Sequence, residues 1–132
     1  MKVMLDTNIC IYIINDRSSS LRKILGSLRT GDIGISAITL CELSTGASLN
    51  PKPEESAISL RKFVAPLIVA PLDAPAAECY GALHAGLKNR GTTIGPMDLL
   101  IAAHAKSLDV TLVTNNVRDF RRVPGLRIEN WV

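Results

Sequence analysis

A chain of 132 residues, 47% hydrophobic and 20% charged, is enough for one ordinary domain with a real core, and it excludes long disordered segments. No apolar run approaches the roughly 20 residues that cross a bilayer, and Met1-Lys2-Val3 leads straight into an apolar stretch with no signal-peptide layout. The expectation is therefore a single domain over residues 1–132, cytoplasmic and without a membrane partner. The net charge of +3 is concentrated near the C-terminus. From residue 88 onward, Lys88, Arg90, Lys106, Arg118, Arg121, Arg122 and Arg127 outnumber Asp98, Asp109, Asp119 and Glu129 by the whole net charge. A basic segment of this kind fits a nucleic-acid backbone or an ordinary solvated face. Cys10, Cys41 and Cys79 are too scattered for a disulfide framework or a zinc site, and they read as small buried thiols.

In chain order, "KVMLD" is a short buried strand that ends on Asp6. "TNICIYIIND" follows with Ile9, Ile13 and Ile14 at helical spacing. "SSSLRKILGSLRTGD" predicts a second helix, with a Ser cap, Leu21, Ile24, Leu25 and Leu28 on one face, and Gly31 as its stop. "IGIS" is a second strand and "AITLCELSTGASL" a helix carrying Glu42. After the turn "NPKPEES", Pro53-Glu54-Glu55 starts a helix that runs to about Ala65. "LIVAPLD" is a third strand, and Ala74 to about Asn89 an Ala-rich helix. The loop "RGTTIGP" leads into "MDLLIAAHAKSL", a helix apolar enough to be buried on most sides. "VTLVT" is a fourth strand, "NNVRDFRRVPG" a turn-rich segment, and "LRIENW" a last short strand.

Strands that alternate with helices and read as continuous apolar runs predict an α/β fold: a mostly parallel sheet covered on both faces. Such sheets bind ligands beyond the carboxyl ends of their strands. Asp6 closes the first strand, and Thr114, Asn115 and Asn116 close the fourth. Asp98 opens the buried helix, Glu42 follows the second strand, and Asp119 follows the fourth. Four carboxylates thus fall where they can converge. Converging carboxylates repel, and a hard divalent cation such as Mg²⁺ or Mn²⁺ relieves that repulsion through oxygen ligands. Singly, each acid also has an ordinary role. Asp6 or Thr7 caps a helix, Asp98 favours a helix dipole, and Glu42 and Asp119 are solvated. The residues alone leave both readings standing. His84 and His104 read as packing or surface residues. His104, six positions after Asp98, lies off that residue's helical face, and no GxSxG marks a nucleophile.

Four segments, "MLDTNICIYII", "ISAITLCELSTGA", "IGPMDLLIAAHA" and "LVTNNVRDFRRVPGLRIENW", resemble in order the VapC-type toxins of the PIN-domain ribonucleases over almost the whole chain. The resemblance implies a three-layer α/β/α sandwich and a Mg²⁺- or Mn²⁺-dependent endoribonuclease acting on RNA such as tRNA, leaving a 5′-phosphate and a 3′-hydroxyl. It implies a cognate antitoxin whose C-terminal segment threads the active-site groove, a homodimer, and a toxin–antitoxin hetero-oligomer bound to operator DNA through the antitoxin. Matched residue by residue, Asp6, Glu42 and Asp98 are the family's three acids. Asp119 is a fourth, although many PIN domains carry it where this chain has Asn116. Metal ligands would come from Asp6, Asp98, Asp119 or Asn116, with Thr7, Asn8 and Thr114 orienting them. Glu42 would bind metal-linked water or help deprotonate it. Lys88, Arg90, Arg118, Arg121 and Arg122 are the candidates for the RNA backbone. With aromatics at 4%, stacking platforms are scarce, and recognition by shape and backbone is expected.

Rival readings are weaker. A haloacid-dehalogenase-type phosphatase needs a second Asp two residues after the first, where this chain has Asn8, and no P-loop occurs. A PIN-like binding module without catalysis, and a PIN nuclease outside toxin–antitoxin systems, differ from the first reading by activity and by a neighbouring antitoxin gene.

Overall fold

The fold was obtained as a computed structural model, which describes residues 1–15 and 19–132, the side chains of 19–22 excepted. Five short strands form one parallel sheet: β1 (Val3–Leu5), β2 (Ile33–Ser36), β3 (Ile68–Ala70), β4 (Thr111–Val113) and β5 (Ile128–Glu129). Their order is β3-β2-β1-β4-β5. The chain therefore winds one way from β1 through β3, then crosses back to the other side of β1. The switch point lies between β1 and β4, where Val3 pairs with Thr111 and Leu5 with Val113.

Strand alternation divides the core. Met4 and Leu112 face one side, packed with α5 (Ala74–Asn89) and α6 (Pro96–Ser107) through Leu83, Leu87, Leu99 and Ile101. Val3, Leu5, Ile35 and Val113 face the other, against α1 (Thr7–Ile14), α3 (Ala37–Leu49) and α4 (Pro53–Val64) through Ile9, Leu43, Leu60 and Phe63. This is the expected α/β/α sandwich, with the sheet parallel throughout.

Most elements fall where the sequence places them, and three details differ. Helix α2 (Ser19–Gly26) ends at Gly26 rather than Gly31: the Ser27 and Leu28 amides bond carbonyls three residues back, and Gly31 instead takes a left-handed φ of 96° in the turn into β2. The expected Ser cap and the apolar contact of Leu21 fall outside the described residues. The turn-rich segment contains a helical turn, α7 (Val117–Phe120), which sinks Phe120 into the core. Of the cysteines only Cys10 is buried. Cys41 is exposed and Cys79 intermediate, because Cys41 sits on the outer side of α3.

Gly34 in the inner strand β2 is required by close packing. A Cβ there would meet Met1 Sδ and lie 2.7 Å from the Ile68 carbonyl oxygen of β3. Gly34→Ala is expected to cost roughly 1–3 kcal/mol, read as a lower denaturant midpoint with an unchanged slope. An unchanged midpoint would mean that β2 and β3 separate without cost. No described helix is long and apolar enough to cross a membrane.

Candidate active site

The site is built at the switch point. Asp6 leaves β1 with its amide bonded to the Val113 carbonyl of β4 at 3.0 Å, so the sheet itself holds its backbone. Its carboxylate then caps α1, Oδ1 accepting from the Ile9 N–H at 2.8 Å. Helix capping and convergence of the acids are thus two uses of one residue. Thr114, fully buried at the end of β4, lies beside the same carboxylate and accepts the Asn116 N–H at 2.9 Å.

Asp6 is almost entirely buried, and burial pushes its pKa above the ordinary carboxylate range. Thr114 and the Ile9 N–H pull it back down, while the charges of Asp98 and Glu42 push it up. Asp98, in the first turn of α6 behind Gly95-Pro96, is raised by burial and by Glu42 and Asp119. Asp6 therefore feels the charges of Asp98 and Glu42, and Asp98 those of Glu42 and Asp119. Each of the four acids stands on a different element: the end of β1, α3, α6 and α7.

Glu42 does not stand free in solvent. The Thr7 hydroxyl donates to Glu42 Oε1 at 2.6 Å. Thr39, one turn before Glu42 and fully buried, lies 3.3 Å from the same hydroxyl. Thr7 has one proton, and it goes to the shorter contact, so Thr39 donates to Thr7 and Thr7 to Glu42. Sequence reasoning missed Thr39, although a hydroxyl three residues before a helical acid shares that acid's face.

Asn116 and Asp119 are partners: the Asn116 Nδ2 donates to Asp119 Oδ2 at 3.1 Å. Arg122 lies 3.7 Å from Asp119 Oδ1 and donates to the Thr93 carbonyl at 3.1 Å, bridging the end of α7 to the loop before Asp98. Lys88, Arg90, Arg118 and Arg121 are exposed. Lys88 borders a hollow of about 210 Å³ with His84, Thr92 and Thr93 that reaches Leu99, next to Asp98. Asn8 is exposed, and its side chain makes no hydrogen bond among the described residues, so it is not drawn into the cluster.

Among the described residues, no three His, Cys, Asp or Glu side chains close tightly enough to enclose an ion. The donors are all oxygen, mutually repelling and not closed into a cage. That fits Mg²⁺ or Mn²⁺, which keeps several waters and takes only one or two carboxylates. It does not fit a caged zinc centre. Beside the acids, a cleft of about 470 Å³ runs between α1, α3 and α4, with Ile11, Ile14, Leu43 and Leu60 on its walls and Glu42 at its edge.

The family model described as "PIN domain" matches residues 3–126. The chain is 43% identical over 131 residues to the tRNA(fMet)-specific endonuclease VapC of Shigella flexneri, covering 99% of this chain and 98% of the relative. Its fold superimposes on the DNA-bound VapBC structure from Salmonella typhimurium with a TM-score of 0.96 at 42% identity, covering 100% and 99% of the two chains. It superimposes on VapBC2 from Rickettsia felis, bound to a DNA fragment from their promoter, with a TM-score of 0.94 at 41% identity and full coverage of both. With the acids at the switch point and this likeness along its whole length, the chain belongs to the PIN-domain family, among the VapC ribonucleases.

Proposed function

We propose that this chain, acting as one domain over residues 1–132, is the toxin of a toxin–antitoxin pair and cleaves tRNA in the cytoplasm with the help of Mg²⁺ or Mn²⁺. The observation that carries this reading is the coupled set of acids at the switch point, with Asp6 and Asp98 both raised by burial and by neighbouring charge. Asp6, Asp98 and Asp119 would hold the ion, one or two of them directly and the rest through its waters, and Asn116 would orient Asp119 rather than replace it. When bound, the ion neutralises phosphoryl charge and acidifies a water. Thr114 and the α1 N-terminus favour the ionised form of Asp6 against its burial, and the Ile9 N–H fixes Oδ1. The Thr39–Thr7 chain occupies one oxygen of Glu42 and leaves Oε2 to take a proton from the attacking water.

Exposed Lys88, Arg90, Arg118 and Arg121 would meet the RNA backbone, while Arg122 braces the loop that precedes Asp98. A hydrophobic segment of the antitoxin would lie in the cleft beside Glu42. A toxin joined to its antitoxin on operator DNA is the assembly that the solved relatives, VapBC complexes with DNA, support, and a toxin homodimer is proposed within it.

The test is incubation of antitoxin-free protein with total tRNA, beside Asp98→Asn, in Mg²⁺, Mn²⁺ and EDTA. Discrete fragments from the native protein alone, lost in EDTA, are expected. Equal cleavage by Asp98→Asn would remove the acids from the mechanism. Thr7→Val should lower the cleavage rate roughly 10–100-fold, and Thr7→Ser, which restores the hydroxyl, should recover it. A Thr7→Val variant as fast as the native protein would show that Glu42 needs no orienting bond.

A further inference from the structure

His104 lies at the centre of the apolar helix α6, flanked by Ala102, Ala103 and Ala105, and has no exposed surface. Its Nδ1 is 2.8 Å from the hydroxyl of Ser36, 68 residues away in sequence. Ser36 ends β2 and caps α3, its Oγ accepting the Ile38 N–H at 3.0 Å. That bond uses a lone pair, so the Ser36 proton is free to go to Nδ1, and the neutral ring carries its own proton on Nε2. Burial holds the His104 pKa below its ordinary value, which keeps the ring neutral, although Asp73 and the Pro71 carbonyl pull the other way. Nε2 has no partner in full hydrogen-bonding geometry among the described residues, the Pro71 carbonyl acting on the ring electrostatically without forming a bond that meets that geometry.

A buried nitrogen without a partner is unfavourable, and an apolar ring in its place would remove that cost. Filling the core therefore does not account for the imidazole. What it provides that Phe or Leu cannot is the bond to Ser36. That bond joins the two helices that carry the acids: α6, with Asp98 six residues before His104, and α3, with Glu42 six residues after Ser36. His104 touches neither acid. Six residues of helix turn its side chain away from the face that carries Asp98 and onto the end of β2.

We propose that His104 is a positioning residue: through Ser36 it sets α3, with Thr39 and Glu42, against α6, with Asp98, at the spacing that divalent-metal binding needs. The inference rests on the metal-site reading above. Misplacing one ligand-bearing element by a fraction of an ångström is enough to weaken a metal site, and losing an outer support typically weakens affinity 10–100-fold.

The experiment is Mn²⁺ titration by calorimetry, with melting curves in EDTA, on the full chain and on His104→Phe, His104→Asn and Asp98→Asn. His104→Phe is expected to melt at or above the native temperature without metal, yet to bind Mn²⁺ roughly 10–100-fold more weakly. His104→Asn, whose side-chain oxygen can accept the Ser36 proton, is expected to regain most of the affinity even where its melting temperature falls. A merely structural histidine would give the opposite pattern, with stability changed and affinity untouched. If His104→Phe does not fold, Ser36→Ala carries the same prediction, with Ser36→Thr as the rescue. Native-like Mn²⁺ affinity in folded His104→Phe or Ser36→Ala overturns the proposal, while Asp98→Asn still losing the ion leaves the metal site itself intact. A native protein that binds Mn²⁺ no better than Asp98→Asn overturns both.

Discussion

Asp6→Asn is expected to abolish RNA cleavage, by more than ~100-fold, while raising the melting temperature of the metal-free protein at pH 7. The two effects share one cause. Burial and the charges of Asp98 and Glu42 raise the Asp6 pKa above its ordinary 3.8, so the folded state holds the proton more tightly than the unfolded chain. For an acid shifted upward, stability is greatest below 3.8 and falls as the pH climbs through the raised folded value. Once the pH is above that folded value, the native protein carries the penalty in full. The substituted amide keeps an acceptor for the Ile9 N–H and loses the charge. Divalent metal should reverse the order. At a hundredfold excess over its dissociation constant it adds about 2.7 kcal/mol to the native fold, on the order of 10 °C for a domain of this size, and adds nothing to Asp6→Asn. Melting curves of both proteins with and without Mn²⁺ decide the matter. A metal-free Asp6→Asn that melts below the native protein would mean that Asp6 contributes to the fold as a cap and not as a strained ligand.

The second large effect is expected at Phe120. The ring is 1% exposed and packs with Val123 and Leu112 beneath α7. Phe120→Ala should cost about 3–5 kcal/mol, a large share of the roughly 5–15 kcal/mol that holds a domain of this kind together. The neighbouring residue is Asp119, whose position depends on α7 and on the Asn116 bond. Loss of the ring should therefore lower metal affinity as well as stability. Phe120→Leu, which keeps most of the volume, should retain affinity at a smaller stability cost. Urea unfolding and Mn²⁺ titration of both variants would show this. A Phe120→Ala protein with a native midpoint would mean that α7 packs without its anchor.

The first effect depends on a residue legible in the sequence, while its partners were not, and the anchoring role of Phe120 was not legible at all. The first strand and its terminal Asp6 show in "KVMLD", because a buried strand is a local apolar run and its end is marked by the first polar side chain. Helices α3 and α5 match their expected bounds for a similar reason: Ser36 and Asp73 are local caps, and their bonds to Ile38 and Ala76 span two or three residues. The carboxylates at strand and helix ends could be named as candidates from their positions in these elements. The family motifs added that these acids belong to one site.

The tertiary structure alone decided which elements are neighbours. The order of β1 between β2 and β4 is set by pairing across about a hundred residues, and no local pattern records it. That order places Thr114 against Asp6 and brings Asp6 within reach of the charges of Asp98 and Glu42. The Thr7–Glu42 bond, spanning 35 residues, and the Ser36–His104 bond, spanning 68, depend on how α3 and α6 pack across the sheet. The early stop of α2 and the burial of Phe120 by α7 are likewise settled by turn geometry and core packing rather than by periodicity. By itself the sequence determined which groups are present and on which local element each stands, because hydrogen bonds and apolar periodicity act over a few residues. Which carboxylate faces which, and which hydroxyl holds it, was left to the fold, because only the packed sheet and helices bring those distant groups within bonding distance.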